Sequence, residues 1–67
     1  MKANVLRGEI VAHGMTVSSL AEAIKMRPKT LYNKLNGNSQ FTIDEAVEIC
    51  RVLEITDANR KAFIFLD

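Results

Sequence analysis

At 67 residues the chain makes one small domain, 1–67, which buries only about 60% of the surface its unfolded form exposes and leaves little room for an enclosed active site. A hydrophobic content of 48% excludes a disordered chain, and apolar stretches as short as Ala62 to Leu66 exclude a membrane-spanning segment. The single cysteine, Cys50, excludes a disulfide framework and a cysteine-rich metal site, and the net charge of +1 makes the distribution of charge more informative than its sum.

The N-terminus has no apolar core before Arg7 and Glu9, so no secretory signal is read and a cytoplasmic location is expected. Apolar residues then recur at helical spacing along the whole chain. The first helix is predicted over Ala3 to Ala12, with Leu6 and Ile10 four apart, Val5 and Val11 beside them, His13 in the last turn and Gly14 as the stop. Thr16 is the N-cap of a second helix with Val17, Leu20, Ala21 and Ile24 inside. Lys25, Met26 and Arg27 form a turn, and Pro28 opens a third helix, where its missing N–H costs nothing. Leu31 and Leu35 face inward from that helix, which closes at Asn36 and Gly37. After a polar loop, Thr42 and Glu45 have the spacing of a capping box for a fourth helix. Its expected inner stripe is Ile43, Ala46, Val47, Cys50 and Leu53, with Cys50 a small core hydrophobe. Thr56 or Asp57 caps a fifth helix, 58–66. The predicted fold is all-α, a compact bundle of five short helices.

Charge is sorted by sign in one place only. Between Ala23 and Ile43 stand Lys25, Arg27, Lys29 and Lys34, without one Asp or Glu. The run lies inside residues 16–37, two short helices joined by a tight turn, and a basic second helix presented in this way is suited to the major groove of DNA. Such a pair needs a small residue in its first helix, here Ala21, and apolar inner positions, here Leu20, Ile24, Met26, Leu31 and Leu35.

Taken with the Leu20-Ala21-x-x-Ile24 core, the Leu35-Asn36-Gly37 ending and the Phe41 to Ala46 run, the chain resembles the Cro and repressor type of helix–turn–helix, the XRE-like family of small phage and bacterial regulators. The resemblance implies a λ-repressor-like fold and sequence-specific binding of double-stranded DNA, with residues 28–36 as the recognition helix. Carried over by position, base contacts fall on Pro28, Lys29, Tyr32 and Asn33. Lys29 suits guanine, Asn33 suits adenine, and Pro28 offers only an apolar contact. Phosphate contacts fall on Ser18, Arg27, Thr30, Lys34, Asn36, Asn38 and Ser39. Two positions depart from the family pattern: Val17 stands where a phosphate-holding Gln is usual, and Lys25 where the turn usually has Gly.

Simpler roles compete at several positions. Tyr32 can cover an apolar edge, and Asn36 can serve as a helix C-terminal residue. The Phe63 to Leu66 run cannot be buried by one helical face, so at least Ile64 or Phe65 is expected at the surface, and Phe63, Ile64 and Phe65 are read as a homodimer interface. No paired carboxylates, no nucleophile with a His–acid partner and no Gly-rich phosphate loop suggest an enzyme, and no metal, cofactor or small-molecule substrate is expected. The alternative function on the same fold is a protein-interaction module of the anti-repressor or antitoxin-like kind.

Overall fold

Most helix boundaries follow from a local cap. A computed structural model of the chain describes residues 1–66 and has no strand among them. Its helices are α1 (Ala3–Ala12), α2 (Val17–Ala23), α3 (Pro28–Leu35), α4 (Ile43–Val52) and α5 (Ala58–Phe65). The all-helical class is as expected, with α3 and α5 each ending one residue sooner. Thr16 accepts from the Ser19 N–H at 3.1 Å while the Thr16 N–H donates back to the Ser19 hydroxyl at 2.9 Å. Thr42 and Glu45 form the same reciprocal pair at 2.8 and 3.1 Å. Asp57, not Thr56, caps α5 by accepting from the Asn59 N–H at 2.8 Å. Helix α1 has no side-chain cap; instead the Lys2 N–H donates to the Ile64 carbonyl at 2.8 Å, tying the start of α1 to α5.

Four of the helices stop by one device. Gly14, Lys25, Gly37 and Glu54 each follow the C-cap in the left-handed region, with φ of 67, 59, 84 and 57°. The following residue then donates back to a carbonyl five positions earlier: Met15 to Ile10, Met26 to Ala21, Asn38 to Asn33 and Ile55 to Cys50. Glycine takes this conformation at no steric cost, so the stops at Gly14 and Gly37 were readable. The stops at Lys25 and Glu54 are made by side chains that lack that freedom.

Leu6, Ile10, Leu20, Leu31, Ile49, Leu53 and Ile64 are fully buried, and Ala21, Leu35, Cys50 and Ile55 complete the core. Helix α2 lies at the centre, against α1, α3 and α4, while α5 packs on α1. The radius of gyration is 10.6 Å, against about 11 Å for a compact chain of this length.

Three expectations about burial are corrected. The inner face of α4 is Ala46, Ile49, Cys50 and Leu53, leaving Ile43 and Val47 exposed at 83% and 59%. Seven apolar residues between Ile43 and Leu53 span too wide an arc for one buried face, and periodicity could not choose which edge is left out. Val11 is likewise exposed. In α5, Ile64 is fully buried beside the Lys2–Ile64 bond and cannot belong to a subunit interface. Phe65 is half-buried, edge-on to Phe41 with centroids 5.9 Å apart, and Phe63 lies under the Lys2 ammonium at 4.7 Å.

Candidate nucleic-acid interface

The unit formed by α2, the turn and α3 is held by its small and apolar inner residues. Ala21 has no exposed surface, which lets α3 approach α2 closely. Leu20, Leu31 and Leu35 are buried and Ile24 and Met26 pack against them. Val17 also packs against the core, so the residue at the usual Gln position faces inward. With its inner side occupied, α3 turns Pro28, Lys29 and Tyr32 to solvent, with Thr30 and Asn33 half-buried beside them. Lys29, Tyr32 and Asn33 stand at i, i+3 and i+4, so they share one strip of the helix. Tyr32 is 46% exposed.

The cations divide into two groups. Lys25, Arg27 and Lys29 are exposed and pair with no carboxylate among the described residues. Arg51 pairs with Glu48 at 2.7 Å, and Arg60 with Glu9. Lys34, expected to hold a phosphate, falls in the second group. Its Nζ donates to the Gln40 carbonyl at 2.8 Å, lies 3.1 Å from Glu45 and sits 5.9 Å above the Phe41 ring, with the side chain only 11% exposed. The basic run is free of acids in sequence but not in space, because the reversal at 36–42 brings Glu45 back onto α3.

Burial works against the Glu45 carboxylate, but the Thr42 N–H, the hydrogen bond and charge of Lys34, and the Thr42 hydroxyl outweigh it, so its pKa lies below the ordinary value. Burial raises the Cys50 thiol, against the nearby Lys61 charge, so Cys50 is a neutral core residue, as expected. His13, the C-cap of α1, donates from Nδ1 to the Glu9 carbonyl at 3.0 Å.

The remaining polar residues lie around α3. Ser18 is exposed in the first turn of α2, Arg27 is the N-cap of α3, and Asn38 and Ser39 are exposed in the following loop. Asn36 is the C-cap of α3, and its Oδ1 accepts from Arg7 Nη2 at 2.9 Å. Arg7 was not singled out from the sequence, since nothing in residues 3–12 shows that α1 will cross the end of α3.

The fold and this face define a small all-helical protein with three exposed cations, Lys25, Arg27 and Lys29, uncancelled around the start of one helix. The chain belongs to the phage regulatory protein CII (CP76) family, whose model matches residues 3–57. It is therefore a phage regulatory protein; the Cro and repressor resemblance reaches that class, while the family shown is CII. No curated protein and no solved structure matches the chain.

Proposed function

We propose that the chain is a sequence-specific, double-stranded DNA-binding transcriptional regulator that works as a helix–turn–helix, with α3 in the major groove and no catalysis or cofactor. The observation that carries this reading is the state of the cations. Lys25, Arg27 and Lys29 are left uncancelled around the start of α3, the end that enters the groove in such a unit. Lys29, Tyr32 and Asn33 would read base edges, with Pro28 an apolar contact, while Ser18, Lys25, Arg27, Thr30, Asn38 and Ser39 would hold phosphates. Membership of a phage regulatory family supports the same role.

We also propose that it acts as a homodimer, through a surface that keeps Phe65 of the Phe63 to Phe65 run but lies between α4 and α5. Ile43, Val47 and Leu66 are exposed at 83, 59 and 82% and border a groove of about 260 Å³ between α4 and α5, with Phe65 in its wall. The exposed strip equally favours a second reading, in which another protein is the partner.

Selection from a random duplex pool tests the DNA reading. The wild-type chain is expected to enrich a common sequence, and Lys29→Ala or Asn33→Ala to relax preference at single positions, about 1–3 kcal/mol for each lost bidentate contact. Enrichment of nothing, with a folded protein, would leave the partner-protein reading in its place.

A further inference from the structure

We propose that Arg7 of α1 is a DNA-backbone contact, and that Asn36 holds its guanidinium in place for a phosphate. The proposal rests on the DNA-binding reading and adds a residue and a device to it. The Arg7–Asn36 hydrogen bond joins side chains 29 positions apart, at the point where α1 passes the C-terminal end of α3. A helix that lays its N-terminal half in the major groove leaves the groove at its other end, where it meets the sugar–phosphate strand. Arg7 is therefore placed against the backbone and away from the bases.

The chemistry of the partner decides what Arg7 can do. Arg51 and Arg60 each face a carboxylate, which cancels their charge. Arg7 faces a neutral amide and no carboxylate among the described residues. One N–H is committed to Asn36 Oδ1, and the rest of the planar fork keeps the full charge and the geometry that matches a phosphate. The side chain is half-buried and tethered, so less of its freedom is lost on binding than for a fully solvated arginine. An aspartate at position 36 would hold the same rotamer but neutralise it.

Fluorescence anisotropy with a mixed-sequence duplex across a range of salt tests this directly. The slope of log K against log salt is expected to fall by about 0.9 for Arg7→Gln, the value of one phosphate contact, while the ranking of different sequences stays as in the wild type. Arg7→Lys should restore the slope because it keeps the charge. Asn36→Asp should lower the slope in the wild-type background and much less in the Arg7→Gln background. A thermal midpoint near that of the wild type checks that Arg7→Gln folds, and a merely structural tie would move that midpoint and leave the slope alone. Salt-sensitive binding whose slope is unchanged in Arg7→Gln, or lowered but not restored by lysine, overturns the proposal and leaves the DNA reading standing. If the wild type binds no duplex at any salt, the DNA reading falls and takes this proposal with it.

Discussion

Lys29 and Lys34 are the same residue type on one short helix, yet their surroundings are opposite. Lys29 stands in water without a partner, whereas Lys34 is clamped by a carbonyl, a carboxylate and an aromatic ring. Replacing Lys34 by Ala should therefore cost about 1–2 kcal/mol of stability in a urea titration, because Glu45 loses its cation. The same variant should leave the salt dependence of DNA binding near that of the wild type. Glu45 also fixes a pH dependence. Folding lowers its pKa, so its contribution is complete above the ordinary value of 4.5 and is lost as pH falls through the lower folded value. Glu45→Gln should flatten the acid limb of a stability–pH profile over that window and lower stability at neutral pH. The clamp on Lys34 was not legible from the linear order. The acid-free run from Ala23 to Ile43 pointed correctly to a charged helix, but the partner of Lys34 lies beyond the run, and only the chain reversal supplies it.

At the scale of the elements, nearly everything local was legible and nearly everything that depends on a neighbour was not. Thr16, Pro28, Thr42 and the two glycine stops act through bonds within a few residues, and the structure has them where the sequence puts them. The inner edge of α4 and the burial of Ile64 depend on which helix lies opposite, and both differ from expectation. The stop at Lys25 is an intermediate case: the turn was expected there, and its left-handed backbone is now seen to be held by Met26 donating to Ala21 at 2.8 Å. That geometry favours glycine. Lys25→Gly should raise stability by about 0.5–1 kcal/mol, since the release of left-handed strain exceeds the entropy glycine adds to the unfolded chain. Matched denaturant curves measure it. A loss of stability would mean that Lys25 is held by a contact that offsets the strain.

At the scale of the whole molecule, two faces stand out. One carries Lys25, Arg27 and Lys29 around the start of α3, and the other is the apolar strip of Ile43, Val47 and Leu66. A dimer formed through the strip would present two copies of α3, and two such helices reach successive half-sites when about 34 Å apart. Val47→Glu should shift the sedimentation coefficient to that of a monomer without lowering the unfolding midpoint, because Val47 is exposed and supports no core residue. The central claim remains that α3 and its flanking cations bind DNA. The most direct test is the equilibrium affinity of the wild-type chain for duplex DNA as salt is raised. With Arg7, Lys25 and Arg27 each meeting one phosphate, log K should fall linearly with log salt at a slope of about −3 per bound chain. Absence of binding at low salt, or binding indifferent to salt, would contradict it.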